Sequence, residues 1–256
     1  MIDFLKNWRR STLILSLLAG LCGSALAASP ETHTPMHYVS GGKNIGIILY
    51  SPARPGKYPA IVILHGSNGP VSDFVGGYAQ QLANQGFVIA LIHYFDRTNT
   101  APYPSYALME KNFPAWTQAV RDGITYLDQN PKVEKDSIGL LGISLGGFLS
   151  TAVTNADPRV KAVVNVSGGI PGAVAKGAKK MAPTLILHGD ADRTVPVAQA
   201  YELESVLKRT DTPYEIEIYP GEGHMFHGDA QFDAMTRAFS FLDEHLRTAT
   251  ATAVRR

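Results

Sequence analysis

One serine stands at a sharp turn where a reactive side chain could be held, in the stretch IGLLGISLGGFLST, residues 138 to 151. Ser144 lies between Gly142 and Gly146, with an apolar run before it and apolar residues at helical spacing after it. A strand, a Gly-x-Ser-x-Gly turn and a helix form a nucleophile elbow, which projects a serine hydroxyl above a sheet. Glycines suit such a turn because they lack the Cβ atoms that would collide with the neighbouring strand and helix. Ser144 is therefore predicted to be a nucleophile; the alternative is a glycine-rich turn whose serine does no chemistry.

A serine nucleophile needs a histidine base, and after an elbow of this kind the order along the chain is serine, acid, histidine. Four histidines follow Ser144. His224 is the predicted base because it lies in a glycine-rich loop, YPGEGHMFH, directly after a strand, and His227 is the second candidate. His188 ends a strand, where a packed or backbone-bonded imidazole is expected. His245 lies within the last predicted helix, where we expect it on the surface.

The acid that orients the histidine must lie between these two residues. The segment HGDADRTVP offers Asp190 and Asp192. Either could also form the turn and cap the helix that begins near Pro196. One can do so while the other orients His224, and the spacing alone does not choose between them.

These side chains are positioned by alternating strands and helices. Unbroken apolar runs predict buried strands in segments 57–64, 87–95, 137–143, 160–168, 182–190 and 213–221. Helical spacing predicts helices over 71–87, 106–131 (interrupted or begun near Pro114), 145–155, 196–209 and 229–249. Segments 36–40 and 45–52 could add antiparallel edge strands. Such alternation predicts an α/β fold with a mostly parallel central sheet and helices on both faces.

Composition narrows the class of protein. The chain has 256 residues, 45% of them hydrophobic and 18% charged, with a formal net charge of +1. This is a globular balance with no basic stripe, so a nucleic-acid partner is not expected. Without internal repeats or linkers, residues 28–256 are predicted to form one domain.

The first 27 residues have a different character. Lys6, Arg9 and Arg10 precede an apolar run that ends in Ala25-Leu26-Ala27. This pattern predicts a signal peptide over residues 1–27, cleaved before Ala28, and hence an exported protein, periplasmic or secreted, with no membrane attachment after cleavage. A permanent anchor is the alternative, although the run is short for one. Cys22, the single cysteine, lies inside this segment, so the mature chain would hold no disulfide or cysteine nucleophile; lipid attachment at Cys22 is a further alternative.

Taken together, GISLGG, HGDADRTVP, GEGHMFH and the upstream HGSNG resemble the dienelactone hydrolase family of α/β-hydrolases, in its serine-nucleophile form. The resemblance runs from about Tyr38 to His245. The family pattern Gly-x-x-Asp-x-x-Val-Pro assigns the acid to Asp192, and its Gly-His-x-Phe pattern matches His224. The resemblance thus implies a Ser144-Asp192-His224 triad, with the backbone amides of Ser67 and Leu145 as oxyanion donors.

Two departures concern the substrate. Prototype members of the family use a cysteine nucleophile, and they hold a lactone carboxylate with arginines. Arg97 lies in a suitable loop for one arginine, but Gly228 stands where the second is expected, so binding of dienelactone itself is not expected. The loop from Tyr94 to Tyr106 is predicted to form one pocket wall, with Tyr94 and Arg97 as candidate substrate-binding residues; alternatively, its aromatic side chains pack on the core.

The sequence therefore predicts an exported serine hydrolase that cleaves small carboxylic esters or lactones through an acyl-enzyme. It needs no metal or organic cofactor, and its partner is a small-molecule ester. A peptidase or acyltransferase on the same fold is the first alternative. A non-catalytic binding protein is the second. The natural substrate and the oligomeric state are not predicted.

Overall fold

A computed structural model of the protein describes residues 33–70 and 72–253, which belong to one compact unit, Thr32–Arg256. The predicted signal peptide and Cys22 lie outside the described residues, so the cleavage stays a prediction. The strands are β1 His33–Ser40, β2 Lys43–Tyr50, β3 Tyr58–Leu64, β4 Val88–Ile92, β5 Val133–Ile143, β6 Val160–Val166, β7 Thr184–Gly189 and β8 Tyr214–Tyr219. The α-helices are α1 Ser72–Asn84, α2 Tyr106–Asp128, α3 Leu145–Ala156, α4 Gly172–Gly177, α5 Ala198–Arg209 and α6 Gly228–Ala253.

The strands form one eight-stranded sheet in the order β1-β2-β4-β3-β5-β6-β7-β8. Strands β1 and β2 pair antiparallel with each other, and β2 pairs antiparallel with β4, while every other pairing is parallel. The two antiparallel edge strands and the mostly parallel sheet were both predicted, and both are confirmed. Parallel strands read as unbroken apolar runs because both of their faces are covered.

Helices cover each face of the sheet. On one face α2 and α3 pack Trp116, Ile124 and Leu149 against sheet residues such as Val62 and Leu140. On the other face α1 and α6 pack residues including Leu82, Phe241 and Leu242 against Ile61 and Ile89. Adjacent residues of β3 thus belong to opposite cores, as the two-residue period of a strand requires.

Several elements differ from the prediction: β5 begins at Val133 rather than Ser137, and α4, Gly172–Gly177, was not predicted. Helix α2 continues through Pro114. The proline cannot donate to the carbonyl of Glu110, but Glu110 is exposed, so water can bond that carbonyl, while Trp116, Val120 and Ile124 bury the face beyond it. The predicted strand 87–95 ends at Ile92, and a 3₁₀ helix, Tyr94–Thr98, follows it.

The fold brings four loops together at one edge of the sheet. Strands β3, β5, β7 and β8 are mutually parallel, so the loops after their carboxyl ends lie on the same side. These loops carry the segments beginning at His65, Ser144, Asp190 and Pro220. None of the described helices combines the length and apolar character needed to cross a membrane.

Candidate active site

Ser144 occupies a strained backbone position between β5 and α3. Its φ of 55° and ψ of −118° lie in a region where residues other than glycine are rare, as expected of a nucleophile elbow. The Ser144 N–H donates to the Val166 carbonyl at 2.8 Å, which ties the turn to β6. A Cβ on Gly142 would overlap the Gly146 carbonyl, and a Cβ on Gly146 would overlap the Leu64 carbonyl. Both positions therefore require glycine.

The hydroxyl of Ser144 lies in line with an imidazole and a carboxylate. Ser144 Oγ is 2.9 Å from His224 Nε2, and His224 Nδ1 is 2.8 Å from Asp192 Oδ2. Because an ionised carboxylate only accepts, His224 Nδ1–H donates to Asp192, which leaves Nε2 free to accept the serine proton. The structure thus brings together the three residues predicted as a triad.

Asp192 is fixed in position for the contact of its carboxylate with His224. Its side chain is buried, and Oδ1 accepts the backbone N–H groups of Thr194 at 2.8 Å and Val195 at 2.9 Å. Burial acts to raise the pKa of Asp192, but the hydrogen bonds from His224, Val195 and Thr194 outweigh it and hold the pKa below its ordinary value. The carboxylate therefore stays ionised opposite the imidazole.

Asp190, the other acid candidate, has a different partner. Its Oδ1 accepts the Gly221 N–H at 2.6 Å, and the Ala191 N–H donates to the Glu222 carbonyl at 3.0 Å. These contacts join the loop after β7 to the loop after β8, which carries His224. The structure decides what the spacing left open: Asp192 faces the histidine, and Asp190 connects the two loops.

The remaining histidines after Ser144 make other contacts. His188 is fully buried, and its Nε2–H donates to the Val195 carbonyl at 2.8 Å and lies 3.3 Å from Asp192 Oδ2. Burial lowers the pKa of His188, so the ring is neutral and supports the acid loop. His227 pairs with Glu222, and His245 packs edge-on against Phe241.

The two predicted oxyanion donors lie in the loop after β3 and at the start of α3. Leu145 opens α3, so its N–H is one of those that a helix leaves without a partner. Among the described residues, neither the Ser67 N–H nor the Leu145 N–H makes a hydrogen bond. The loop that carries Ser67 lies beside Ser144, since a Cβ on Gly66 would be 3.3 Å from Ser144 Cβ.

A pocket of about 650 Å³ opens over Ser144 and His224. Its described lining is mostly apolar, and neutral polar side chains stand among the apolar ones. The apolar members are Ile63, Pro70, Leu91, Ile92, Ile143, Met225 and Phe226, and the neutral polar ones include Ser67, Asn68, Thr194 and Gln231. No lysine or arginine is among the described residues that line it.

The loop from Tyr94 to Tyr106 divides between core and pocket. Tyr103 is exposed and lines the pocket, as the predicted wall would. Tyr94 and Phe95 are buried, in agreement with the alternative that aromatic side chains of this loop pack on the core. The structure does not bring Tyr94 or Arg97 into the pocket lining. The Tyr94 hydroxyl donates to the His65 carbonyl, and the Arg97 guanidinium lies against Gly41 in the β1–β2 turn.

The sheet order, the helices on both faces and the elbow at the carboxyl edge define an α/β-hydrolase fold. The sequence model of the dienelactone hydrolase family matches residues 45–246. The chain belongs to the dienelactone hydrolase family, and it is a hydrolase. The family and the fold predicted from the motifs are both confirmed.

Relatives within this fold carry several names. The uncharacterized peptidase YtmA of Bacillus subtilis is 26% identical over 235 residues, which cover 77% of this chain and 89% of that protein. A Bradyrhizobium protein named as a probable 2-oxo-3-(5-oxofuran-2-ylidene)propanoate lactonase is 26% identical over 213 residues, covering 75% and 84%. The structure of a dienelactone hydrolase-like promiscuous phosphotriesterase from metagenomic libraries superposes with a TM-score of 0.73 at 15% identity, covering 84% of this chain and 98% of that one.

Proposed function

We propose that the protein is a serine hydrolase that cleaves neutral carboxylic esters, either small esters or lactones. The observation that carries the proposal is the line of contacts from Ser144 Oγ through His224 to Asp192, at 2.9 and 2.8 Å. These are the distances at which a base takes a proton from a nucleophile and an acid orients the base.

In the first half of the proposed reaction, His224 Nε2 takes the proton of Ser144 as Oγ attacks the ester carbonyl. The negative charge that forms on the carbonyl oxygen is met by the N–H groups of Ser67 and Leu145. Asp192 stabilises the imidazolium. The imidazolium then gives its proton to the alcohol oxygen, which leaves, and the acyl group stays on Ser144.

Water completes the proposed cycle. His224 takes a proton from a water molecule that attacks the acyl carbonyl, and the same N–H groups meet the second oxyanion. Return of the proton to Ser144 Oγ releases the carboxylic acid. Each proton passes through His224: from Ser144 to the leaving alcohol in the first half, and from water back to Ser144 in the second.

The pocket supports a neutral substrate. Besides Ser144 and His224, its described lining consists of apolar residues, amide or hydroxyl side chains, and His65 and His227, and it presents no lysine or arginine to a carboxylate. A volume of about 650 Å³ suits an ester of moderate size. The lactonase name of the Bradyrhizobium relative supports the inclusion of lactones.

The test uses p-nitrophenyl acetate and butyrate with the purified protein and its Ser144→Ala variant. We expect hydrolysis by the wild type and a loss of about 10³-fold or more in kcat in the variant. A fluorophosphonate should label the wild type at Ser144 and leave the variant unlabelled. Equal hydrolysis by both proteins would refute the proposal, and absence of labelling would favour a binding protein without catalysis.

Peptide cleavage is a second candidate, favoured by the name of the Bacillus subtilis relative. The same triad could attack an amide, whose amine would leave with the His224 proton. A matched pair of p-nitrophenyl ester and p-nitroanilide substrates with the same acyl group distinguishes the two. Turnover of the anilide without turnover of the ester would replace the esterase proposal.

We also propose that the protein is exported, which the basic residues, the apolar run and the Ala-Leu-Ala sequence before Ala28 support. Expression of the full chain in a Gram-negative host should give a shortened protein in the periplasm. N-terminal sequencing that begins at Ala28 would agree with the proposal, and an intact N-terminus in the cytoplasm would contradict it.

A further inference from the structure

The peptide that joins Gly66 to Ser67 is held by two side chains: His65, which is among the residues lining the pocket, and Tyr94, which is fully buried. We propose that His65 and Tyr94 are positioning residues that aim the Ser67 N–H at the oxyanion. This inference rests on the proposed function, because it concerns the charge that forms during ester cleavage.

The first contact fixes the plane of that peptide. The Gly66 carbonyl accepts His65 Nδ1–H at 2.7 Å and the Gly69 N–H at 3.2 Å. In a planar trans peptide the carbonyl and the following N–H point in opposite directions. Two donors on the Gly66 carbonyl therefore turn the Ser67 N–H to the other side of the peptide, where no described residue accepts it.

The second contact fixes the peptide before it. Tyr94 is fully buried, and its hydroxyl donates to the His65 carbonyl at 2.6 Å. The Tyr94 ring also stacks on the His65 imidazole, with centroids 4.0 Å apart and planes 10° from parallel, and Phe95 packs edge-on at 4.8 Å. One tyrosine thus holds both the main chain and the ring of His65.

The imidazole of His65 makes one hydrogen bond within the described part of the chain, from its Nδ1–H to the Gly66 carbonyl. His65 is among the residues that line the pocket, but its Nε2 is buried and has no hydrogen-bond partner among the described residues. Its Nδ1–H can only donate, because the Gly66 carbonyl opposite it can only accept. The loop it holds lies beside Ser144, with a Cβ on Gly66 placed 3.3 Å from Ser144 Cβ.

A rotation of this peptide would weaken a contact made only when the oxyanion forms. Removal of one oxyanion donor costs about 10²- to 10³-fold in kcat, so misalignment of a donor should cost about 10- to 100-fold. Ground-state binding does not use the contact, so KM should stay within about twofold. This split between kcat and KM distinguishes positioning from a general loss of structure.

The test compares two tyrosines that make the same kind of bond. Tyr94→Phe removes the hydroxyl that donates to the His65 carbonyl at 2.6 Å. Tyr38→Phe removes a buried hydroxyl that donates to the Ala119 carbonyl at 2.7 Å, on the α2 side of the core. His65→Phe keeps a ring in the aromatic cluster and removes the Nδ1–H donor.

Each variant is assayed for kcat, KM, thermal midpoint and inhibition by a trifluoromethyl ketone, which forms an oxyanion on the serine. We expect Tyr94→Phe and His65→Phe to lose about 10- to 100-fold in kcat and in affinity for the ketone, with KM within about twofold. Tyr38→Phe should lower the thermal midpoint about as much as Tyr94→Phe and keep the wild-type kcat.

The outcomes separate the inference from the proposed function. If Ser144→Ala is inactive while Tyr94→Phe and Tyr38→Phe both keep the wild-type kcat, the proposed function stands and the inference alone is wrong. A rise in KM at constant kcat in Tyr94→Phe would also overturn it. If Ser144→Ala hydrolyses the ester as fast as the wild type, the proposed function fails and the inference fails with it.

Discussion

Acid should destabilise this protein through one buried histidine, His65. His65 is 9% exposed, its ring stacks on Tyr94 and packs edge-on with Phe95, and its Nε2 has no partner among the described residues. Burial lowers the pKa of His65 from 6.5 to about 4; the hydrogen bond to Gly66 acts in the opposite direction, and nearby His93 adds to the lowering. Protonation would therefore place a charge where nothing accepts its second N–H.

The size of the effect follows from proton linkage. Above pH 6.5 neither the folded nor the unfolded state binds the proton at this ring, so stability is unaffected. As pH falls from 6.5 toward 4, the His65 ring is protonated in the unfolded chain but stays neutral in the folded chain, so the free energy of unfolding falls. At about 1.4 kcal/mol per pH unit, we expect a loss of about 2.5 kcal/mol between pH 7.5 and 4.5 from this group.

The measurement is urea unfolding of wild type and His65→Gln at pH 7.5, 5.5 and 4.5. The wild type should lose about 2.5 kcal/mol more than the variant over this range. The pKa values of His93 and His188 are also lowered by burial, but both residues are present in both proteins, so their effects cancel in the difference. His65→Phe, which also cannot titrate, should give the same difference; parallel curves for wild type and both variants would refute the reasoning.

Two further predictions concern the acid and the elbow. Asp192→Asn should lower kcat by about 10⁴-fold, because an amide nitrogen facing His224 would force the wrong tautomer, whereas Asp190→Asn keeps its acceptor for the Gly221 N–H and should stay near wild type in the same ester assay. Activity of Asp192→Asn within tenfold of wild type would contradict that role. Gly146→Ala should destabilise the fold by about 3 kcal/mol in urea, because its Cβ overlaps the Leu64 carbonyl, while Gly177→Ala, with open space around it, should be close to neutral. A stable, active Gly146→Ala protein would show that the elbow can relax.

The sequence predicted the turn around Ser144 well, because the backbone conformation of the turn and the exposure of a reactive serine both require glycine nearby. Gly142 and Gly146 flank a serine between an apolar run and a helical pattern, and the structure shows carbonyl oxygens where their Cβ atoms would stand. The antiparallel edge strands and the order of strands and helices were likewise readable, because periodicity reflects which faces are buried.

Other features were not readable from the chain. Pro114 suggested a break in α2, which the structure does not have, because burial of the residues beyond it outweighs one lost hydrogen bond. Arg97 stands in a loop that suits substrate binding, yet its guanidinium lies at the β1–β2 turn, far along the chain. Such placements depend on which distant segments become neighbours.

The sequence by itself determined the order of serine, acid and histidine and the glycines that permit the turn, because backbone sterics act within a few residues. The family resemblance pointed to Asp192 as the acid, but only the tertiary structure shows that Asp192 faces His224, that Asp190 joins two loops, and that His65 and Tyr94 hold the peptide before Ser67. The physical reason is that hydrogen-bond direction and burial are set by parallel strands meeting at one edge, and these strands are distant in sequence.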